Sequence, residues 1–127
     1  MKSIVLIDDN RDNRLLLRAL LSGLYQVSEF ETGFAAMEAL KTTVPDLILL
    51  DISLPGMDGL EVLSLLRADA RLKDVPVIAL TAYATSGDRK RYLRAGFNDH
   101  IPKPIVDEKK FLQAIDRCLT GAPRVRG

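Results

Sequence analysis

Short, unbroken aliphatic runs separated by helical patterns constrain this chain more than any other feature of its sequence. The runs at 4–7 and 47–50 contain only aliphatic residues, and a third run, at 75–80, is interrupted by a single proline. Such runs are typical of strands that are buried on both faces, as in parallel sheets. Less apolar runs at 25–30 and 99–101 predict a second and a fifth strand.

A helical pattern follows each predicted strand. Gly23 ends the first pattern, the second ends before Pro45, the third helix begins near Asp58, and the fourth is predicted over 87–95. The apolar positions that predict the inner faces are Leu15, Leu16, Ala19 and Leu20 in the first helix, Phe34, Ala36, Met37 and Leu40 in the second, Leu60, Leu63 and Leu66 in the third, and Phe111, Leu112, Ile115 and Leu119 in the fifth. Five strand–helix couplets predict an α/β fold with a doubly wound parallel sheet and helices on both faces.

Size and composition favour one independently folding domain. The chain has 127 residues, of which 47% are hydrophobic, and a net charge of +1, so no overall field attracts it to nucleic acid or to an acidic membrane. Cys118 is the only cysteine, which excludes an internal disulfide and suits a reducing compartment. No apolar run is long enough to span a bilayer, and residues 1–3 lead into a predicted strand and not into the apolar segment of a signal peptide. We therefore predict a cytoplasmic domain over residues 1–121 and a short flexible tail over 122–127.

Polar side chains stand where the predicted strands end. Asp8 and Asp9 follow the first strand, Asp51 the third, Thr81 the fourth and Lys103 the fifth. Because the carboxyl ends of parallel strands meet at one edge of a sheet, these five side chains are expected to converge there. Three carboxylates need compensating charge, which Lys103 and a divalent cation would supply. An all-oxygen ligand set favours Mg²⁺ over zinc.

This constellation suits phosphoryl transfer to a carboxylate. A phosphoryl group placed between a cation and the Lys103 ammonium would have its negative charge stabilised, with Asp51 in line as the nucleophile. The Thr81 hydroxyl can donate to a phosphoryl oxygen, which gives the modified state a contact that the unmodified state lacks. Each residue also has a simpler interpretation. Asp8, Asp9 and Asn10 could simply cap the first helix, Thr81 could be an ordinary strand residue, and Asp51 or Lys103 could simply occupy turns.

Four motifs together resemble the receiver domain of two-component response regulators, whose archetype is the chemotaxis response regulator. They are Ile-Asp-Asp-Asn at 7–10, Leu-Leu-Asp-Ile-Ser-Leu-Pro-Gly-Met-Asp-Gly at 49–59, Leu-Thr-Ala at 80–82 and Ile-Pro-Lys-Pro at 101–104. The resemblance covers nearly the whole chain and implies a five-stranded, flavodoxin-like sheet of order 2-1-3-4-5 with five flanking helices. It also implies a signalling switch, not a turnover enzyme, that catalyses its own phosphorylation and dephosphorylation.

The resemblance assigns a role to each residue of the constellation. Asp51 would accept the phosphoryl group, and Asp9 and Asp51 would bind Mg²⁺ together with the backbone carbonyl of Ser53. Asp8 would hold a metal-bound water, and Lys103 would contact the phosphoryl group.

Two further residues would take part in the switch. Thr81 would move so that its hydroxyl donates to a phosphoryl oxygen. His100 occupies the switch position on the fifth strand, where many relatives have tyrosine or phenylalanine. In those relatives the aromatic side chain at this position rotates as part of the switch, so a histidine here departs from that part of the mechanism. The Lys103–Pro104 peptide is expected to be cis, as is common in the family.

The partners implied are proteins. A sensor histidine kinase or a histidine phosphotransfer protein would supply the phosphoryl group, and a downstream protein would bind the face formed by the fourth helix, the fifth strand and the fifth helix. The basic residues Arg89, Lys90, Arg91 and Arg94 belong either to that surface or to an ordinary solvated face. A monomer or a phosphorylation-promoted dimer is expected. Tyr83 would either overhang the phosphoryl group and slow its hydrolysis or pack on the rim of the site.

Three alternatives remain open from sequence. An aspartyl-phosphate hydrolase also uses a strand-end aspartate and Mg²⁺, but that class has a second aspartate two residues later, where this chain has Ser53. A metal-independent interaction module would keep the fold without phosphorylation. An excised receiver of a longer hybrid kinase would share every motif described above.

Overall fold

The fold alternates strands and helices along the whole described chain. The computed structural model describes residues 1–82 and 86–120, so the predictions for Tyr83 and for the tail at 122–127 concern residues outside the described ones. The elements are β1 Ser3–Ile7, α1 Arg11–Leu21, β2 Gln26–Phe30, α2 Gly33–Ala39, β3 Leu47–Asp51, α3 Gly59–Ala68, β4 Val77–Thr81, α4 Ser86–Ala95, β5 Asp99–Pro102 and α5 Glu108–Leu119. The predicted couplets are therefore present in the predicted order.

The five strands form one parallel sheet of order β2-β1-β3-β4-β5, which confirms the fold class and the strand order. The centre of the sheet is β3, and every residue of β3 and β4 is buried. Strand β4 begins at Val77, two residues later than its apolar run, because Pro76 has no N–H to donate to a neighbouring strand. The Pro76 carbonyl still accepts a hydrogen bond of 2.9 Å from the backbone of Ile48.

The core has two layers, one on each face of the sheet. One cluster includes Val77 and Ala79 of β4, Tyr92 of α4 and Phe97, and it also holds the inner faces of α2 and α3. The other cluster includes Leu49 of β3 and holds the inner faces of α1 and α5. Among the described residues, no helix is both long enough and apolar enough to cross a membrane.

The predicted inner face of α1 is wrong at three of its four positions. Leu15, Leu16 and Ala19 are exposed and Leu20 is half-buried, whereas the buried residues of α1 are Arg14, Leu17 and Leu21. Arg14 lies inside because its Nη1 donates 2.7 Å to the Asp8 carbonyl and its Nε donates 3.3 Å to Glu29 Oε1. A charged residue that is satisfied by the backbone can thus occupy an inner position, which an apolar pattern does not reveal.

The inner faces of the other helices are predicted better. Phe34 of α2 is 59% exposed and lies beside Gly56, so its prediction as a core residue is wrong, as is that of Leu60 at the start of α3. The other predicted positions of α2, α3 and α5 are buried or half-buried, and they are Ala36, Met37, Leu40, Leu63, Leu66, Phe111, Leu112, Ile115 and Leu119. Leu60 is the second residue of α3 and is 39% exposed, so the apolar spacing placed it on the inner face although the first turn of the helix leaves it in contact with solvent.

Candidate functional site

Three carboxylates meet at the carboxyl edge of the sheet. Asp8 follows β1 and Asp51 is the last residue of β3, and both are buried, whereas Asp9 is exposed. One carboxylate oxygen from each residue lies within 4.8 Å of the others. The predicted convergence of these three residues therefore occurs, because adjacent parallel strands β1 and β3 end side by side.

Asp8 is held by the start of α1. Its Oδ1 accepts 2.9 Å from the backbone N–H of Asn10, and its Oδ2 accepts from the side-chain amide of Asn13. Asn10 is also the N-cap of α1, where its Oδ1 accepts 2.9 Å from the Asn13 N–H. Of the three residues considered for capping, Asn10 is therefore the N-cap, and the Asp8 carboxylate is fixed towards the site.

Asp51 is held by the loop that follows β3. Its Oδ1 accepts 2.9 Å from the backbone N–H of Ser53, and Gly59 at the start of α3 approaches its backbone. A Cβ at Gly59 would lie 2.5 Å from the Asp51 carbonyl oxygen and 2.7 Å from Ile52 Cα. Only glycine allows α3 to begin this close to the end of β3. The Gly59 N–H donates 3.0 Å to the Ile52 carbonyl at the same place.

Lys103 reaches back from the end of β5 to the buried carboxylates. Its ammonium donates 3.0 Å to Asp51 Oδ2 and 3.5 Å to Asp8 Oδ2, so one cation serves both acids. Its own N–H donates 2.8 Å to the Thr81 carbonyl, which ties the loop after β5 to the end of β4. The Lys103–Pro104 peptide is cis, as expected from the family resemblance.

The charges at this edge are only partly balanced. Burial, and then the nearby charge of Asp8, raise the pKa of the Asp51 carboxyl, against the bonds from the Ser53 N–H and from Lys103. Burial also disfavours the Lys103 charge, but its hydrogen bonds to Asp51 and Asp8 and their negative charges together raise the pKa of that ammonium. Two buried carboxylates against one ammonium leave an excess of negative charge, which favours a bound cation.

The donor set fits a hard divalent cation. Three carboxylates supply only oxygen, and octahedral Mg²⁺ at about 2.1 Å from its ligands separates adjacent ligand oxygens by about 3 Å. Each of the three carboxylates has one oxygen within 4.8 Å of the others, which is close enough for them to surround one ion, directly or through a bound water. The exposure of Asp9 leaves the cluster open to solvent on one side, as an ion that keeps several waters requires.

Thr81 ends β4 and is buried, and its hydroxyl is joined to α4. A hydrogen bond of 3.1 Å connects Thr81 Oγ1 to the hydroxyl of Tyr92. His100 is half-buried on β5 with its ring centroid 6.4 Å from that of Tyr92. Burial lowers the pKa of the His100 imidazole, against the nearby charge of Asp99. Ser53, the predicted backbone ligand, is exposed on the loop after Asp51.

Sequence reasoning missed four residues that shape this site. Asn13 and Arg14 follow the Asp-Asp-Asn motif by a few residues, and Gly59 is the last residue of the motif around Asp51. Closeness to a motif was therefore the one signal in the sequence that could have identified these three residues. Tyr92 gave no comparable signal, because a tyrosine in a helix is more often a packing residue.

The chain is similar to known proteins in both sequence and fold. A family model described as the response regulator receiver domain matches residues 4–116. The polar-differentiation response regulator DivK of Brucella ovis is 38% identical over 122 residues, which cover 95% of this chain and 98% of that protein.

Two solved structures have the same fold. The receiver domain of a sensor histidine kinase from Pseudomonas aeruginosa, with a magnesium ion coordinated in its active-site cleft, is 34% identical, covers 94% of this chain and 98% of its own, and has a TM-score of 0.84. The signal receiver domain of a histidine kinase from Syntrophus aciditrophicus is 30% identical, covers 98% of this chain and 95% of its own, and has a TM-score of 0.85. The chain belongs to the response regulator receiver domain family.

Proposed function

We propose that Asp51 accepts a phosphoryl group from a phosphohistidine and thereby switches this receiver domain in two-component signal transduction. The observation that carries the proposal is the Asp51 carboxylate itself. Asp51 is only 2% exposed and is the last residue of a buried strand. Its carboxylate lies beside a second buried carboxylate, that of Asp8, and 3.0 Å from the Lys103 ammonium. Burying a carboxylate whose charge is only partly compensated is costly, and such groups are concentrated at functional sites.

The reaction needs little covalent chemistry from the protein. A bond forms between an Asp51 carboxylate oxygen and phosphorus while the bond from phosphorus to the donor imidazole nitrogen breaks, and the imidazole leaves with the electron pair. The Lys103 ammonium, which already contacts Asp51 Oδ2, stabilises the negative charge on the equatorial phosphoryl oxygens. The Ser53 N–H keeps the carboxylate in a fixed orientation through Oδ1.

We propose Mg²⁺ as the cofactor. Asp9, Asp51 and the backbone carbonyl of Ser53 would bind it directly, and Asp8 would bind it through water. The ion, when bound, neutralises the acidic cluster and binds a phosphoryl oxygen. The family relative from Pseudomonas aeruginosa, which has magnesium in its cleft, supports this assignment.

The phosphorylated state is read by proteins. A sensor kinase or a phosphotransfer protein is the proposed donor, and a downstream protein is proposed to bind the face of α4, β5 and α5. Three basic side chains of α4, those of Lys90, Arg91 and Arg94, are exposed. A groove of about 370 Å³ beside β5 and α5 adjoins it, with Val106 exposed on its rim. Sedimentation of the protein before and after phosphorylation would show whether phosphorylation promotes a dimer.

The test is intact mass after incubation with Mg²⁺ and a small phosphodonor such as acetyl phosphate. We expect a gain of one phosphoryl group in the wild type, no gain in Asp51→Asn, and no gain without Mg²⁺. Asp46→Asn is the matched control, because Asp46 is an exposed carboxylate at the opposite edge of the sheet, where it accepts 2.7 Å from the Ser3 N–H. It should be phosphorylated like the wild type.

Other outcomes would support the alternatives. No gain with acetyl phosphate or with phosphorylated kinases, together with no Mg²⁺ binding, would favour the metal-independent interaction module. Continuous turnover of a small phosphate ester, without accumulation of the modified protein, would favour a hydrolase, although the chain has Ser53 where that class has its second aspartate. Modification at a residue other than Asp51 would refute the acceptor assignment.

A further inference from the structure

The Tyr92 hydroxyl holds the Thr81 side chain in a buried contact within the core. Tyr92 is fully buried in α4, and its hydroxyl lies 3.1 Å from Thr81 Oγ1. Arg91 Nη2 donates to the same phenol oxygen over a long 3.4 Å, which leaves the Tyr92 hydrogen available to Thr81. The ring is fixed by an edge-on contact with Phe97, with centroids 6.1 Å apart. Tyr92 is therefore placed to hold the hydroxyl that the proposed switch has to move.

Strand geometry places Thr81 and Asp51 on opposite faces of the sheet. Successive side chains of a strand alternate between faces, so Thr81 shares a face with Ala79, and Asp51 shares one with Leu49. Ala79 packs in the same cluster as Tyr92, whereas Leu49 packs in the cluster of the other face. To reach a phosphoryl group on Asp51, the Thr81 hydroxyl has to leave the α4 side and turn around the end of β4.

We propose that Tyr92 is a latch on the switch, a positioning residue whose hydroxyl holds Thr81 on the α4 side and stabilises the unphosphorylated arrangement. This inference rests on the proposed phosphorylation of Asp51. Phosphorylation draws the Thr81 hydroxyl to a phosphoryl oxygen, which breaks the Thr81–Tyr92 bond and releases the contact between β4 and α4. The signal then enters α4 through Tyr92, whose ring also lies beside His100 on β5.

The latch has a measurable consequence. A bond that exists only in the resting arrangement lowers the affinity for any group that requires the other arrangement. Tyr92→Phe removes the hydroxyl and keeps the ring, so it should favour the active arrangement. We expect Tyr92→Phe to bind Mg²⁺ with beryllium fluoride, a tetrahedral stand-in for the phosphoryl group, about fivefold more tightly than the wild type, the factor equivalent to one neutral hydrogen bond.

Calorimetric titration of the full chain with beryllium fluoride in excess Mg²⁺ tests the proposal. Tyr25→Phe is the matched control, because Tyr25 is a half-buried tyrosine just before β2, at the opposite edge of the sheet. It should bind with wild-type affinity. In a Thr81→Ala background, Tyr92→Phe should no longer change the affinity, because the latch acts only through Thr81. Thermal unfolding of each variant measures any effect on packing separately.

The outcomes separate the latch from a packing role. An affinity of Tyr92→Phe that equals or falls below that of the wild type would overturn the latch, whatever the change in thermal stability. An increase that persists in the Thr81→Ala background would overturn the route through Thr81. If the wild type itself does not bind beryllium fluoride, the proposed phosphorylation of Asp51 fails and the latch fails with it.

Discussion

Gly59 is the position where a single methyl group should disturb both the stability and the candidate site. A Cβ there would lie 2.5 Å from the Asp51 carbonyl oxygen and 2.7 Å from Ile52 Cα, both of which are backbone atoms. Ordinary contact needs about 3.4 Å or more, so α3 and the end of β3 would have to separate by about 1 Å. Gly59→Ala therefore forces a backbone movement and not a side-chain adjustment.

The expected cost follows from overpacking. Inserting a methylene group into a closely packed region costs about 1–3 kcal/mol, and the preference of a helix for alanine over glycine returns less than about 1 kcal/mol. We expect Gly59→Ala to lower the free energy of unfolding by about 2 kcal/mol. Urea unfolding measures this, and an unchanged dependence on urea concentration would show that the native state keeps its compactness.

Gly33 is the matched control, because it is the first residue of α2 as Gly59 is of α3. A Cβ at Gly33 would lie 2.6 Å from Val62 Cγ2, a side-chain atom, and 3.2 Å from the Met57 carbonyl oxygen. Gly33→Ala should cost less, about 1 kcal/mol, because a side chain can move more easily than backbone. Phosphorylation should slow in Gly59→Ala and stay normal in Gly33→Ala. A Gly59→Ala variant as stable as the wild type would refute the reasoning.

Three further predictions concern Asp51, Cys118 and Arg67. Burial raises the pKa of the Asp51 carboxyl, so its ionisation costs stability as pH rises above the range in which a free carboxyl titrates. Without Mg²⁺, Asp51→Asn should therefore be more stable to urea than the wild type at pH 7, and this difference should shrink as pH falls and the Asp51 carboxyl becomes protonated. Equal urea stability at pH 7 would contradict this. Burial raises the pKa of the Cys118 thiol to about 11, so alkylation of the native protein at pH 8 should be about 100-fold slower than that of free cysteine, and comparable rates would show that the thiol is accessible and ionised. Arg67 donates to the carbonyl of Gly96, at 2.8 and 3.2 Å, and to that of Val75, at 2.7 Å. Arg67→Ala should therefore lower the free energy of unfolding in urea by about 3 kcal/mol, and a decrease of less than about 1 kcal/mol would contradict this role.

Much of the site was predictable because it depends on strand ends. The aliphatic runs located β1 and β3, and the first polar residues after each run or at its end, Asp8 and Asp51, had to meet once the sheet was parallel. The same argument placed Lys103 near them, and its ammonium does contact both carboxylates. The strand order came from the family resemblance, because short connections alone fix only the alternation of strands and helices.

The local sequence by itself determined the elements, their order and the edge of the sheet at which the acidic residues gather. Tertiary structure decided what depends on contacts between distant segments: the rotation of α1, which the buried Arg14 sets through Asp8 and Glu29, and the partner of the Thr81 hydroxyl. An apolar pattern records which side chains avoid water, but it does not record which polar groups find partners inside the fold. Tyr92 illustrates the difference, because its aromatic ring predicts only burial, whereas its hydroxyl acquires a role only where α4 packs against the end of β4.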